Sequence, residues 1–300
     1  MASSMKLHRN PPFRAEHLGS LLRTEKLLDT RHAWEAKKAS EEDLRSVEDQ
    51  DVKAIVEEQI SLGFHAITDG EYRRHMFWGS FWPGLKGMKE EDTPDPDLFR
   101  MYIPDIAAFT EAGYKPGETV ICTGKIKHVG STYKDQFDYL KSLVPKEKVG
   151  DLKLTLAAPN WYHLRYKEGK AYPKEVYPDD DAYFADIAKA YQTELKVLYD
   201  HGLRNVQFDD PNLAYFCSEA MIKGWNKDSL NTYSTDVLLD KYIKLYNDAI
   251  SQAPVSFSLC EVVHDLASSA ARPCDIKIAI PLLMGSISAR TRCINNLNHH

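Results

Sequence analysis

The chain has 300 residues, of which 43% are hydrophobic and 27% charged, and its formal net charge is −6 at pH 7. This length suits one large α/β domain, and the composition is that of an ordinary globular protein. The acidic balance argues against a nucleic-acid surface and an anionic membrane, and no apolar run approaches the roughly 20 residues of a membrane span. We therefore expect a protein that binds neither nucleic acid nor membrane.

The N-terminus and the cysteines indicate an intracellular chain. Residues 1–12 are short of apolar side chains, so we interpret them as a loose leader and not as a secretory signal. The five cysteines are odd in number and scattered, without a CxxC pair. Free thiols of this kind are typical of a reducing compartment, so the sequence favours a cytoplasmic location.

The first part of the chain predicts a strand and then a long helix. Residues 13–20 could form a short strand that ends in a Gly-Ser pair. Further on, Ser40 and Asp43 have the spacing of a capping box, which marks the start of a helix. Apolar residues then recur at helical spacing as far as Gly63, a natural C-terminal cap.

The next stretch presents charge at the end of a buried strand. Residues 64–67 predict a core strand, and the chain then runs directly into Asp69-Gly70-Glu71 and two arginines. In an α/β protein the strand fixes the position, and the loop after it carries the reactive groups. The alternative is an ordinary polar turn, because Asp-Gly is a common turn pair.

Residues 77–130 look like an insertion rather than a regular βα unit. They begin with aromatic residues, proline and glycine and continue into an acidic, proline-containing run. Within them, residues 119–129 alternate well enough to form a strand or one arm of a hairpin.

Strands and helices alternate in the rest of the chain. The predicted elements are helices at 133–143, 181–201 and 236–250, and strands at 153–158, 205–208 and 255–259. This order predicts a parallel sheet. The residues at the ends of the predicted strands are Ser20, Glu71, Trp161, Asp209 and Cys260.

Convergence of these strand ends on one mouth is typical of a (β/α)8 TIM barrel. We predict a fold of that type, with about five of its eight βα units. A doubly wound open sheet is the alternative, and it should carry a glycine-rich phosphate loop at its first turn. Gly19-Ser20 lacks that spacing.

Four runs at these strand ends, in this order, resemble the cobalamin-independent methionine synthase family. They are FRAEHLGSLLR, GFHAITDGEYRR, APNWYHLRY and VQFDDPNLAYFC, within roughly residues 12–255. The resemblance is to single-domain relatives of that enzyme's C-terminal catalytic barrel. It implies methyl transfer from 5-methyltetrahydrofolate (polyglutamate) to the thiol of homocysteine, giving methionine. It also implies a zinc ion, which would bind the thiol as thiolate and keep it nucleophilic near neutral pH.

The resemblance also implies roles for particular residues. Gly19 and Ser20 match the Gly-Ser that holds the amino-acid carboxylate. Glu71 and Asp209 match the two carboxylates that contact the amino group, and such a pairing is how a zwitterion is held. His17 lies beside the first motif and is expected to line the same mouth. Trp161 matches the tryptophan against which the folate ring system packs.

Each of these residues also has a purely structural interpretation. Ser20 could cap a helix. Asp209 could belong to a plain strand-to-turn exit, and Trp161 could be core. Arg73 and Arg74 could pair with surface acids.

The fifth strand departs from the family. There the family has His-x-Cys, two of its zinc ligands, whereas this chain has Ser258-Leu259-Cys260. Cys260 is therefore a candidate metal ligand without its partners, because serine is a poor zinc ligand. The barrel domain is predicted to span 13–260, and 261–300 form a divergent tail that does not match the family. We expect zinc binding to be weak or absent.

The leading hypothesis is a shortened member of this family with weak or absent methyl transfer. A second hypothesis is alkyl transfer to another small thiol. A third is a non-catalytic chain that binds ligand only or is an unstable isoform. An incomplete barrel would leave unpaired strand edges, which predicts possible self-association.

Overall fold

Helices and short strands alternate along most of the chain. The computed structural model describes residues 19–76, 79–114 and 118–254, and the backbone of 258–262. The elements in chain order are α1 (Glu25–Glu35), α2 (Glu41–Ser61), β1 (Leu85–Glu91), α3 (Pro104–Glu111), β2 (Thr119–His128), α4 (Lys134–Ser142), β3 (Lys153–Ala157), α5 (Asp180–Asp200), β4 (Asn205–Asp209), α6 (Pro211–Tyr215), α7 (Glu219–Lys227), α8 (Thr235–Ile250) and β5 (Ser258–Val262). Within these ranges, no helix has both the length and the apolar character that crossing a membrane requires.

Three strands form a parallel sheet in the order β3-β4-β5. Helix α5 connects β3 to β4, and helices α6 to α8 connect β4 to β5. Parallel pairing requires long crossovers of this kind. The register sets Ala157 level with Asp209, and Gln207 level with Cys260. The carboxyl ends of the three strands therefore lie along one edge of the sheet.

Aromatic side chains of α5 and α8 pack on this sheet. The rings of Tyr191 and Tyr246 lie 5.8 and 6.0 Å from the ring of Phe208 on β4, measured between ring centres. The Tyr191 hydroxyl also donates a hydrogen bond to the carbonyl of Ala157 at 2.6 Å. All four residues are buried. The core thus fixes the ends of β3 and β4, where the candidate site lies.

Strands β1 and β2 form a separate antiparallel pair. Their register shifts at Gly87, where φ is +87° and an added Cβ would lie 2.5 Å from the Lys125 carbonyl oxygen, so glycine is required there. At the end of β2, the carboxylate of buried Glu194 on α5 bonds His128 and Ser131, each at 2.5 Å. These bonds attach the pair to the helix that covers the main sheet.

The segment before the acidic turn forms one bridge instead of the predicted strand at 64–67. Ile67 pairs in parallel with Leu152, immediately before β3. The Ile67 N–H donates to the Asp151 carbonyl at 3.0 Å, and its own carbonyl accepts from the Lys153 N–H at 2.9 Å. The pairing places this segment beside β3, as the predicted strand order requires.

The bridge does not extend because a helix side chain bonds the next residue. Gln59 of α2 accepts from the Thr68 N–H and donates to the Thr68 carbonyl, both at 2.9 Å, and both residues are buried. A side-chain amide offers one donor group and one acceptor, which is what a neighbouring strand would offer here. The prediction of a strand at this point is therefore wrong in extent, although the segment's position is right.

Other predicted elements can be compared directly. Ser40 and Asp43 form the expected capping box, and α2 ends just before Gly63. The fifth strand is described at 258–262 and overlaps the predicted strand at 255–259, of which 255–257 lie outside the described residues. Most of the first predicted strand, at 13–20, lies outside the described residues, as do the leader and the tail beyond residue 262.

The TIM-barrel prediction is not confirmed. Closure needs every strand of a sheet to have a partner on both sides. Within the described part of the chain, β5 pairs with β4 on one side, and the Ile67 bridge pairs with the β3 side on the other, so these strands do not form a closed ring. The observed architecture is mixed α/β, with helices around two small sheets.

Replacing Gln59 by leucine should lower the free energy of unfolding by about 2–4 kcal/mol, because the buried N–H and carbonyl of Thr68 would each lose a hydrogen-bond partner. Urea denaturation at neutral pH measures the change. Gln50→Leu on the exposed side of the same helix is the matched control, with an expected change within about 0.5 kcal/mol. Equal effects of the two substitutions would contradict the role given to Gln59.

Candidate functional site

The turn after Ile67 has an unusual backbone that positions Glu71. Gly70 and Glu71 have φ values of +68° and +58°, both in the left-handed region. The Asp69 carboxylate accepts a hydrogen bond from the Glu71 N–H at 2.9 Å and so holds the turn. Positive φ is costly for a residue with a Cβ, on the order of 1 kcal/mol, and such strain is concentrated at functional sites.

Arg74 brings the two predicted carboxylates together. Its Nη1 atom lies 2.9 Å from Glu71 Oε2 and 3.7 Å from Asp209 Oδ2. The side chains of all three residues are at least 88% buried. The other oxygen of Asp209, Oδ1, accepts a hydrogen bond from the side chain of Gln207 at 2.7 Å. The sequence prediction that Glu71 and Asp209 lie close together at the strand ends therefore agrees with this geometry, while their roles stay predictions.

The structural alternative for Arg74, a pairing with surface acids, is wrong, because the carboxylates of Glu71 and Asp209 that it contacts are buried. Its neighbour Arg73 does pair with acids outside the cluster, namely Glu48 and Asp49 on α2. Two adjacent arginines thus have different environments. The signal in the sequence is their position two and three residues after Glu71, but the sequence does not say which of them faces the sheet.

Burial raises the pKa of Glu71 above the ordinary glutamate value. The negative charges of Asp209 and Asp69 raise it further, whereas Arg74 and a hydrogen bond from the Thr155 hydroxyl lower it. The ionisation of Glu71 therefore depends on a balance between burial and the charges around it.

The second acid of the Asp-Asp-Pro run has a different, structural role. Asp210 is fully buried and accepts hydrogen bonds from Asn160 at 2.8 Å and Tyr246 at 2.6 Å. It also caps α6 through the Leu213 N–H. Burial raises its pKa, although these hydrogen bonds oppose the shift. Of the two adjacent acids, Asp209 is the one that belongs to the Arg74 cluster.

The chain after Gly19-Ser20 lies beside the acidic turn. The Leu21 N–H donates to the Gly70 carbonyl at 3.1 Å. Arg23 Nη2 donates to the carbonyls of Glu71 and Arg74 at 2.8 and 3.1 Å. These bonds hold the N-terminal segment against the turn that carries Glu71.

Ser20 does not cap a helix. The N-cap of α1 is Thr24, whose hydroxyl accepts from the Leu27 N–H, so the alternative interpretation of Ser20 is wrong. Ser20 is exposed and Gly19 is partly buried. His17 lies outside the described residues, and its place at the mouth stays a prediction.

Trp161 lies directly after β3, in a 3-10 helix at Pro159–Tyr162. It is 5% exposed. The guanidinium carbon of Arg165 lies over the ring, 3.2 Å from its centre, and Arg165 is held in turn by Asp105 at 3.0 Å. Burial agrees with the structural interpretation of Trp161. A ligand could stack on the ring only through the surface that Arg165 leaves uncovered.

The candidate zinc ligand can be placed by its backbone alone. Cys260 is level with Gln207 in the sheet, and Ser258 is level with Asn205. The side chain of Cys260 lies outside the described residues. Among the side chains that are described, no group of three or more His, Cys, Asp or Glu residues could hold a metal ion. The described side chains therefore do not form a zinc site by themselves.

Comparisons with known proteins identify relatives of this chain. No protein-family model matches it. It is 31% identical over 248 residues to YxjG and 29% identical over 246 residues to YxjH, two uncharacterized proteins of Bacillus subtilis. It is 28% identical over 200 residues to methionine synthase of Saccharolobus solfataricus. These matches cover 82% of this chain for the Bacillus proteins and 65% for the archaeal one, but the chain spans only 60% and 52% of the relatives' own lengths.

Solved structures give the same result. A putative vitamin-B12 independent methionine synthase from Listeria monocytogenes superimposes with a TM-score of 0.62 and 26% identity, over 84% of this chain and 65% of that one. A B12-independent methionine synthase from Shewanella, solved in complex with selenomethionine, has a TM-score of 0.50 and 17% identity, over 75% and 54%. The second likeness concerns the fold alone.

The fold is thus that of a mixed α/β protein similar to the methionine synthase catalytic domain. The chain is a relative of the B12-independent methionine synthase family, as the four strand-end runs indicated.

Replacing Glu71 by glutamine should stabilise the protein relative to wild type increasingly as the pH rises. A carboxyl whose pKa is raised on folding contributes stability that is fully present below its unfolded pKa, about 4.3, and is lost as the pH rises through its folded pKa. The difference in unfolding free energy, Glu71→Gln minus wild type, should therefore increase from pH 4 upward. Urea denaturation at half-unit intervals between pH 4 and 7 measures it.

Asp138→Asn is the control, because the pKa of Asp138 is shifted in the opposite direction from that of Glu71. Hydrogen bonds from Lys141, Lys134 and His201 lower the pKa of Asp138 to about 2, against its partial burial. The stability from this carboxylate is present above about pH 3.9 and is lost as the pH falls toward 2. The Asp138→Asn difference should therefore be flat from pH 4 to 7. A flat Glu71→Gln difference would contradict the raised pKa.

Proposed function

We propose that this chain binds an amino-acid thiol, homocysteine, and acts as a methyltransferase of the B12-independent methionine synthase kind. The observation that supports the proposal most strongly is the meeting of Glu71 and Asp209 at one buried arginine. The similarity to methionine synthases supports the reaction class. The selenomethionine complex of the Shewanella protein supports an amino acid as ligand.

In this proposal the two ends of the amino acid bind to different segments. The ammonium group lies against the carboxylates of Glu71 and Asp209, since charge-assisted hydrogen bonds to carboxylates are the strong ones. The carboxylate of the ligand lies against Gly19 and Ser20, on the segment that Arg23 holds against the Glu71 turn. His17 belongs to the same segment. This arrangement fixes the direction of the thiol side chain.

The methyl donor in the proposal is 5-methyltetrahydrofolate, whose ring system packs against Trp161. In the transfer, the bond from the thiolate sulfur to the methyl group forms as the bond between the methyl group and folate N5 breaks. The electron pair of the broken bond stays on N5, which takes up a proton to give tetrahydrofolate, and the proton lost by the thiol passes to solvent. A zinc ion, which the family resemblance implies, would supply the activation of the thiol as thiolate. The described residues do not hold a metal site, so their proposed contribution is binding and orientation of the two substrates.

Binding without transfer is the second candidate function. The observation that favours it is Ser258, which stands two residues before Cys260 where the family resemblance places a histidine. The two candidates differ in one measurement. Purified protein is incubated with zinc, homocysteine and 5-methyltetrahydrofolate triglutamate, and methionine is quantified. Methionine above the no-protein control supports transfer; tight homocysteine binding without methionine supports the second candidate.

Asp209→Asn should weaken binding of L-homocysteine at least tenfold, because it removes one of the two negative charges that face the ammonium group. Isothermal titration calorimetry under reducing conditions at pH 7.5 measures the dissociation constants. Asp97→Asn, at an exposed acid in the 3-10 helix at Pro96–Leu98, is the matched control and should leave binding unchanged. The same affinity in Asp209→Asn and wild type would contradict the proposed ammonium site.

Trp161→Leu should weaken binding of 5-methyltetrahydrofolate about tenfold or more. The variant loses the stacking contact between the two ring systems, which contributes up to about 1.5 kcal/mol, and also part of the apolar area that the ligand buries. Fluorescence quenching or calorimetry measures the affinity, and thermal melting checks that the variant folds. Trp34→Leu, at a partly exposed tryptophan of α1, is the control. Unchanged folate affinity in folded Trp161→Leu would leave Trp161 a core residue.

A further inference from the structure

Arg74 is buried between the two carboxylates, and the sequence analysis does not place it in the site. It belongs to the same turn as Glu71: the Arg74 N–H donates to the Glu71 carbonyl at 3.2 Å, and Arg23 binds the Arg74 carbonyl at 3.1 Å. These backbone bonds fix where its side chain starts. The guanidinium group then reaches Glu71 and, on β4, Asp209.

We propose that Arg74 is a positioning residue that keeps Glu71 ionised beside Asp209, so that the site carries one net negative charge and selects a ligand with a single ammonium group. The proposal deepens the function proposed above and rests on it for the identity of the ligand. Its electrostatic part concerns the ionisation of Glu71 and can be measured without a ligand.

The argument begins with the cost of two buried negative charges. When two carboxylates share a buried site without a cation, one of them takes up a proton, as in the aspartic proteases. A protonated Glu71 or Asp209 would no longer attract an ammonium group as a charge. Both carboxylates here are within 4 Å of one Arg74 nitrogen, at 2.9 and 3.7 Å, so the positive charge stabilises both ionised forms.

Other charged and titratable groups also face Glu71 and must be included in the balance. Those that contribute around the cluster are Asp69, Arg23, Tyr133 and, through its hydrogen bond to Gln207, Lys153. Asp69 opposes ionisation of Glu71, and Arg23 favours it from the backbone side of the turn. Arg74 is the cation whose contact with Glu71 and Asp209 is direct. Its loss should therefore shift the titration of Glu71 more than the loss of a neighbouring charge outside the cluster.

The net charge of the three side chains determines which ligands the site should prefer. Glu71, Asp209 and Arg74 sum to one negative charge, which one α-ammonium group neutralises. A thiol acid that lacks the amino group would leave that negative charge uncompensated and would lose the hydrogen bonds to both carboxylates. The site should therefore distinguish homocysteine from 4-mercaptobutanoate, its analogue without the amino group.

The test compares Arg74→Gln, Arg74→Lys and Arg73→Gln. Glutamine keeps hydrogen-bond donors but removes the charge, and lysine restores the charge. The titration of Glu71 is followed by NMR of protein with 13C-labelled glutamate carboxyl groups, with the Glu71 signal assigned from its absence in Glu71→Gln. Its midpoint should rise by about one pH unit or more in Arg74→Gln and return toward wild type in Arg74→Lys. Arg73→Gln, next in sequence but paired with Glu48 and Asp49, should leave it in place.

An unchanged Glu71 midpoint in folded Arg74→Gln would overturn the proposal. If Arg74→Gln does not fold, the double variant Arg74→Gln with Asp209→Asn removes one charge of each sign and is compared with Asp209→Asn alone. The Glu71 midpoint should be higher in the double variant, and equal midpoints would again overturn the proposal.

Measurements of ligand binding distinguish a failure of this proposal from a failure of the proposed function. In wild type, L-homocysteine should bind at least tenfold more tightly than 4-mercaptobutanoate, and in Arg74→Gln the pH of half-maximal homocysteine binding should rise together with the Glu71 midpoint. Absence of binding to wild type between pH 5 and 9 would refute the proposed ligand, while the NMR titration still decides whether Arg74 sets the ionisation of Glu71. Homocysteine binding with the same pH profile in wild type and Arg74→Gln would overturn the role of Arg74.

Discussion

The position of the candidate site depends on one short parallel contact, the bridge between Ile67 and Leu152. This contact sets the chain beside β3, and Gln59 of α2 bonds the following residue on both of its backbone groups. The start of the acidic turn is therefore fixed along the direction of the strands. The register between β3 and β4 fixes the position of Asp209 along the same direction. Two independent constraints thus bring carboxylates from distant parts of the sequence to one arginine.

Several features of the candidate site lower the stability of the folded protein. Glu71 has a left-handed backbone, its carboxylate is buried, and two further acids lie nearby. Each of these features costs free energy, and strain and buried charge of this kind persist only where surrounding structure compensates for them. Here the compensation comes from Arg74 and from the hydrogen bonds of Arg23 to the turn. Glycine at position 71 would adopt the same backbone with less strain and without a buried charge. The presence of a glutamate there instead favours a functional origin for the arrangement.

Local signals in the sequence predicted the fold best where the structure depends on local contacts. The capping box at Ser40 and helices α5 and α8 follow from side-chain spacing alone. The extent of the strand before the acidic turn did not, because a glutamine from a helix replaces the expected strand neighbour. Arg73 and Arg74 show the same limit, since adjacent arginines differ only in which packed element each one meets. Barrel closure depends on pairing between distant strands, and periodicity within one segment contains no information on it.

In the proposed function, amino-acid recognition and thiol activation depend on different parts of the chain. The residues proposed to hold the amino acid lie on the segment after Gly19, on the Glu71 turn and at the end of β4, and the structure describes all three. The residues that the family resemblance assigns to zinc begin at β5, where serine stands at the position of the histidine. Since the carboxylate cluster is held by β3, β4 and the acidic turn, its geometry does not require the metal ligands. If the proposed sites are right, a change at the metal ligands would leave the carboxylate cluster in place, so binding and transfer have to be measured as two distinct properties.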